Sequence, residues 1–327
     1  MDLLHQVVEK LQKTGRLVLL SHVLPDGDCI GSMLALGKAL RALGKEVTMV
    51  NSDPIPEYLT FLPLAETVRL PEEVKDWPSV AVCLDCSDMA RLGEGLSALV
   101  RDKTLVNIDH HVSNTQFGAV NYVHPDAAAT GQLVADIIDA LGVPWDRELG
   151  VLIYTAIATD TGSFQYSSTT VSVHLLAAKL IGTGLDVAAV NQSLYETKSL
   201  ASVKLLGRAL DRLEMTPDHR VAWISLDRAT LQRLGAKDEH TEGIINFARA
   251  IDTVEVGMLF REIAPGKVKV GLRSKQLVDV NKLAAVFGGG GHQRAAGCLI
   301  EGELGQVVPR VISIAKEFVE ALDERHY

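Results

Sequence analysis

The sequence predicts a two-domain α/β protein: a mostly parallel sheet with helices on both faces, then a smaller domain built on a mixed sheet. Three observations carry this expectation. The chain has 327 residues, too many for one ordinary core, so its length suggests two domains. Its first half alternates short apolar runs with helical patterns, and runs that are apolar throughout read as parallel strands buried on both faces. Near residue 190 the character changes, and strand-like segments then follow one another with helical patterns after them. The boundaries read from that change are 1–187, a helical linker over 188–215, and 216–327.

Taken in order, MDLLHQVVEKLQKTGR (1–16) mixes charge with Leu and Val. It reads as an amphipathic helix and not as an export signal, which makes the cytoplasm the expected location. RLVLLSH (16–22) reads as a strand, and IGSMLALGKALRALG (30–44) as a helix ended by Gly44. EVTMVN (46–51), SVAVCLD (79–85) and TLVNIDH (104–110) are further strands. ATGQLVADIIDALG (129–142) is a helix with Thr130 as its expected N-cap. LGVLIYTAIATDTG (149–162) is apolar almost throughout, and period alone does not separate helix from strand there. The stretch 186–215 is helical, with a break around Thr197–Ser199. RVAWISL (220–226), TVEVGMLFREI (253–263) and KVKVGLRS (267–274) read as strands. A helical VDVNKLAAVF (278–287) then leads into GGGGHQRAAG (288–297), and a helix around 305–325 closes the chain.

Composition narrows the function classes. The chain is 47% hydrophobic and 22% charged, which is the balance of a soluble globular protein. No apolar run approaches the roughly 18 residues that a spanning helix needs, so no membrane partner is expected. Four cysteines, Cys29, Cys83, Cys86 and Cys298, are too few and too scattered for a disulfide scaffold. The lone CxxC of Cys83 and Cys86 reads as two packed side chains, because free Cys is commonly buried as a small hydrophobe. Residues 1–200 carry 14 Lys and Arg against 24 Asp and Glu, whereas 201–327 carry 18 against 17. A long duplex would demand a basic stripe, so an acidic half beside a balanced one fits metal ions and a small anion instead.

Open parallel sheets bind ligands at the carboxyl ends of their strands. The polar residues fall there: His22 after LVLLS, Asp85 after AVCL, Asp109–His110–His111 after LVNI, and Asp160 after IYTAIAT. Asp26 and Asp28 follow His22 in PDGD. Carboxylates with imidazoles suit Mn²⁺, Fe²⁺ or Mg²⁺ better than structural zinc. The set is large enough for two ions about 3.5–4 Å apart, as in two-metal phosphoryl hydrolases. Asp85, the lone carboxylate ending a central-looking strand, is the natural bridge. Each piece has a plainer reading alone: PDGD as a turn, Asp85 as a helix cap, His110–His111 as loop residues. Together, at the ends of successive strands, they favour a site. His5, His124, His174, His219, His240 and His326 lack this context and read as surface or packing residues.

The run Gly288–Gly291 is a second candidate, since glycines let backbone N–H groups approach an anion closely. Its alternative reading is a flexible loop. His292 and Arg294 follow it, and Arg273 in GLRS offers a guanidinium suited to phosphate.

HVLPDGDCIGS, VCLDCSD, NIDHHVSN and ATDTGSF together resemble the four motifs of the DHH phosphoesterase superfamily, and GGGGHQRAAG resembles the signature of its associated C-terminal domain. The resemblance spans essentially the whole chain and is nearest the nanoRNase/pAp phosphatase subgroup. It implies two divalent cations, most suitably Mn²⁺, with His22 and Asp26 on one, Asp28, His110 and Asp160 on the other, and Asp85 between them. It implies that Asp109 orients the imidazoles and that His111 meets the substrate phosphate. Gly289, Gly290, Gly291, His292, Arg294, Arg273 and, six residues after Asp85, Arg91 would contact substrate. The implied activity is hydrolysis of short single-stranded RNA or DNA oligonucleotides and of 3′-phosphoadenosine 5′-phosphate (pAp), with the site in the cleft between the domains. A phosphodiesterase acting on cyclic di-AMP or linear dinucleotides is the alternative enzyme, and a non-catalytic nucleotide sensor the alternative class. A family II pyrophosphatase and a RecJ-type processive exonuclease fit less well. A homodimer is left open.

Overall fold

The apolar runs of the first half do form one parallel sheet. In a computed structural model, which describes residues 2–323, the elements begin with α1 (Leu3–Lys13), β1 (Arg16–Ser21), α2 (Gly27–Ala42) and β2 (Glu46–Val50). They continue with β3 (Val68–Arg69), β4 (Val80–Leu84), α3 (Glu94–Val100), β5 (Thr104–Asp109) and β6 (Val120–Val123). Four helices follow: α4 (Thr130–Ala140), α5 (Arg147–Asp160), α6 (Val171–Ile181) and α7 (Val187–Asn191). The strand order is β3-β2-β1-β4-β5-β6, and every pairing is parallel. Successive buried positions in β1, and all of β4, explain why these strands show no alternation in sequence. The ambiguous stretch 149–162 is helical as far as Asp160: α5 is buried over most of its length against α2, so its pattern is apolar nearly all round.

The chain divides into two compact units, Met1–Thr197 and Lys198–Tyr327. The expected linker is therefore shared. α7 and a π-type turn, Gln192–Glu196, stay with the first unit. α8 (Leu200–Leu210) and β7 (Leu213–Met215) belong to the second, where β7 pairs with β8 (Val221–Leu226). That unit continues through α9 (Arg228–Leu234), α10 (Ile244–Ala250), β9 (Val256–Ala264), β10 (Lys267–Ser274) and α11 (Val280–Ala285). It ends with β11 (Gly290–His292), β12 (Ala295–Glu301) and α12 (Leu304–Asp323). Its sheet runs β11-β12-β10-β9-β8-β7, mixed because β8 and β9 are parallel and the other pairs antiparallel. The end of the closing helix expected over 324–325, and His326, lie outside the described residues. Among the described residues no helix is long and apolar enough to cross a membrane.

In the first unit α2, α4 and α5 meet along a seam of small residues. A Cβ on Gly31 of α2 would lie 2.5 Å from the Leu152 carbonyl oxygen of α5, and one on Gly131 of α4 would lie 2.4 Å from the Ala156 Cβ. The helices approach this closely only because both side chains are absent. Gly31→Val should force α2 from α5 and destabilise the fold by about 1–3 kcal/mol, as overpacking typically does. Chemical denaturation of the variant against the parent measures it.

Candidate active site

The order β3-β2-β1-β4 places a topological switch point between β1 and β4, where open α/β sheets bind ligands. His22 follows β1 and Asp85 follows β4, and they meet with His22 Nε2 3.3 Å from Asp85 Oδ2. Asp85 adopts a left-handed backbone, φ +59°, a conformation uncommon outside glycine and best tolerated by Asp and Asn. On its other side, Asp85 Oδ1 lies 3.6 Å from both His110 Nε2 and His111 Nδ1. Asp26 Oδ2 stands 3.7 Å from His22 Nε2, and Asp160 Oδ2 3.2 Å from His110 Nε2. Three groups here bring potential ligand atoms within 4.8 Å of one another: His22, Asp26 and Cys29; Asp28, His110 and Asp160; Asp85, Asp109 and His111.

Local structure aims each donor. Asp26 is the N-cap of α2, and its Oδ1 accepts the N–H groups of Asp28 and Cys29 at 3.1 Å. That leaves Oδ2 for the site. Asp28 accepts from Thr130 N (2.6 Å), Gly131 N (2.8 Å) and the Ser32 hydroxyl (3.1 Å). The expected N-cap of α4, Thr130, is thus corrected. Ala129 is the N-cap and has no side chain to offer, so Asp28 caps α4 from another helix. Thr130 instead donates its hydroxyl to Asp85 Oδ1 at 2.9 Å. Asp160 is also displaced from its expected place, because it ends helix α5 and not a strand. A carboxylate at the negative end of a helix dipole is unfavourable without a cation. Just beyond it, Gly162, Ser163 and Phe164 all have positive φ, and Phe164 packs between the rings of Tyr154 and His174.

The histidines are oriented by their far nitrogens. His22 Nδ1 lies 2.9 Å from the Val23 carbonyl and His110 Nδ1 3.1 Å from that of Ala127. A carbonyl only accepts, so Nδ1 carries a proton in each ring, and Nε2 is the nitrogen turned to the carboxylates, free to ligate a cation once it gives up its own proton. His111 Nδ1 bonds Asp109 Oδ1 at 2.7 Å. Asn114, given no role by the sequence, donates through Nδ2 to Asp109 Oδ2 (2.6 Å), Asn107 Oδ1 (2.8 Å) and the Cys86 carbonyl (3.1 Å). It sits within NIDHHVSN, five residues after Asp109, which is the only signal that pointed to it.

Electrostatics show what the cluster lacks. Burial pushes the Asp28 and Asp160 carboxyls well above the usual range, and the neighbouring carboxylates push them further. Asp85 is equally buried, but hydrogen bonding to His22 and the charges of His111, His22 and His110 hold it well below. Burial disfavours charge on His22, yet Cys29, Asp26 and Asp85 outweigh it and raise its pKa well above normal. For His111 burial is likewise outweighed, by the Asp109 hydrogen bond and the Asp85 charge, and its pKa rises to about 9. Among the described residues the ion-pair partners of Asp26, Asp28, Asp85 and Asp160 are all histidines. Carboxylates in excess of cations, with imidazole Nε2 atoms turned towards them, fit divalent metal ions.

The second unit holds the remaining candidates, except Arg91, whose main-chain carbonyl accepts the Val23 N–H at 2.8 Å beside His22. Arg273 and His292 both pair with Ala295, one on each side, and so share a row across β10, β12 and β11. The glycine run is not an open anion cradle, which corrects that expectation. The N–H groups of Gly288, Gly289 and Gly291 already donate to Ala285 O, Ala284 O and Asn281 Oδ1. Gly289 is needed for close approach, since a Cβ there would lie 2.3 Å from the Gly297 carbonyl oxygen. Arg294 donates through Nη1 to the Val278 carbonyl at 2.9 Å and so anchors the hairpin turn.

The two halves match known families separately. The DHH family N-terminal domain matches residues 16–157, and the DHHA1 domain residues 219–321. The chain is also similar to NrnA of Thermus thermophilus, a bifunctional oligoribonuclease and PAP phosphatase: 35% identity, over 97% of this chain and 94% of that one. The chain belongs to the DHH family. A solved exopolyphosphatase-related protein from Bacteroides fragilis has the same DHH architecture, with a TM-score of 0.87 and 26% identity over 98% of this chain and 96% of that one. RecJ from Thermus thermophilus, solved in complex with Mn²⁺, shares the fold at a TM-score of 0.56 and 15% identity, over 98% of this chain and 55% of that one.

The grip on Asp109 is open to direct measurement. Asn114→Leu keeps the size but leaves Asp109 Oδ2 and Asn107 Oδ1 each without this donor, and should cost about 1–3 kcal/mol. Thermal and urea unfolding of the metal-free protein read it.

Proposed function

We propose that this DHH protein is a two-metal phosphoesterase that hydrolyses short oligoribonucleotides to mononucleotides and removes a phosphate from pAp. The observation that carries the reading is Asp85, whose two oxygens face His22 on one side and His110 on the other, amid four more aspartates. His22 and Asp26 would hold one cation, Asp28, His110 and Asp160 would hold the other, and Asp85 would serve both. An oxygen- and nitrogen-rich donor set suits Mn²⁺. Bound there, such cations lower the pKa of water and neutralise charge gathering on the phosphoryl group.

The chain's own residues do the rest. Asp109, gripped by Asn114, holds the His111 ring through Nδ1, which leaves Nε2 to protonate or hydrogen-bond the leaving oxygen. In the second unit, Arg273 and His292 flank a small residue, Ala295, and we assign the substrate's terminal phosphate and base to them. A guanidinium grips phosphate bidentately. The run Gly289–Gly291 serves by keeping strands close, Arg294 by holding the turn, and Arg91 by lining the approach to His22. Four buried, free cysteines suit a reducing compartment, and we place the protein in the cytoplasm. The similarity to the Thermus NrnA supports this choice of substrates.

A Mn²⁺-dependent hydrolysis panel tests the substrate class: a labelled RNA of a few nucleotides, a long RNA, pAp and cyclic di-AMP. Turnover of the short RNA and pAp with the long RNA spared is the expected result; a preference for cyclic di-AMP would overturn it. Asp85→Ala should abolish turnover with the fold retained by circular dichroism, and full activity would sink the two-metal assignment. Arg273→Ala should raise KM while leaving kcat near the parent value, the signature of lost uniform binding.

A further inference from the structure

We infer that Thr130 is a positioning residue of this site, whose hydroxyl sets how the Asp85 carboxylate is divided between the two cations. The inference rests on the two-cation reading. The terminal torsion of an Asp side chain is broad and weakly held, so a bridging carboxylate must be fixed from outside. Three neighbouring carboxylates are fixed by donors of the chain itself. Asp26 takes two main-chain N–H groups, Asp28 takes two more and a hydroxyl, and Asp109 takes the Asn114 amide. Asp85 has a left-handed backbone and histidines on both sides, and its hydroxyl donor is Thr130 at 2.9 Å.

Thr130 is well suited to impose an orientation. It is fully buried, and its own N–H is spent on Asp28 Oδ2 at 2.6 Å. Its β-branched side chain at the start of α4 is stiff at χ1. One residue therefore ties a carboxylate assigned to a single cation to the carboxylate assigned to both. Its hydroxyl occupies one lone pair of Asp85 Oδ1, the oxygen that faces His110, and leaves Oδ2 to face His22. Cations held here would be unequal: the one beside His110 would share its Asp85 oxygen with a hydrogen bond.

Thr130→Ser keeps the hydroxyl and Thr130→Ala removes it, so the pair isolates the donor. Calorimetric titration of the metal-free full chain with Mn²⁺ should give two sites in the parent and in Thr130→Ser. In Thr130→Ala the weaker site should lose about 10–100-fold in affinity, the usual effect of deleting a partner behind a metal ligand. Electron paramagnetic resonance at saturating Mn²⁺ should show altered spin coupling between paired ions in Thr130→Ala alone. If Thr130→Ala lowers the melting temperature but leaves both affinities and the coupling as in the parent, Thr130 is structural and the inference fails. If the parent itself does not bind two Mn²⁺ ions, the two-cation reading fails, and this inference with it.

Discussion

The arrangement depends on one carboxylate that does a distant helix's capping. Asp28, in the first turn of α2, accepts the N–H groups that open α4. The positive end of α4 makes it tolerable to bury that carboxylate completely. The same bonds fix where α4 begins relative to α2, and the seam of glycines lets both helices settle against α5. Since α5 ends in Asp160, the packing of three helices is converted directly into the spacing of the acidic side chains. Replacing that seam with larger residues would change the chemistry of the site before it changed the topology of the sheet.

A second constraint is electrostatic. The first unit gathers Asp26, Asp28, Asp85, Asp109 and Asp160 with three imidazoles and sets them at the ends of elements that hold them rigidly. Burial and neighbouring carboxylates raise Asp28 and Asp160, whereas three histidines outweigh burial at Asp85, so like groups separate in acidity within a few ångströms. This is the signature of a place prepared for a positive charge that the side chains do not themselves supply in full.

Much of this was legible in the chain. Strands buried on both faces leave uninterrupted apolar runs, and the polar residues after them mark the strand ends without further help. What was not legible came from afar. The cap of α4 lies 102 residues upstream, so the local rule that favours Thr over Ala chose the wrong residue. Asp160 looked like a strand terminus because a helix buried nearly all round loses its 3.6-residue signature. Asn114 is polar in a polar loop, and only the geometry reveals that it holds Asp109, Asn107 and the Cys86 carbonyl at once. The glycine run did mark a place of close approach, but the partner is the chain's own strand β12, and α11 consumes most of its N–H groups.

The donors His22, Asp26, Asp28, Asp85, His110 and Asp160 lie inside the first of the two compact units. During synthesis the amino-terminal unit emerges first and generally folds as a unit. Every one of those donors is thus outside the ribosome before Arg273 or His292 has been joined to the chain. The acidic cluster is therefore assembled on a nascent polypeptide, ahead of most of the second sheet.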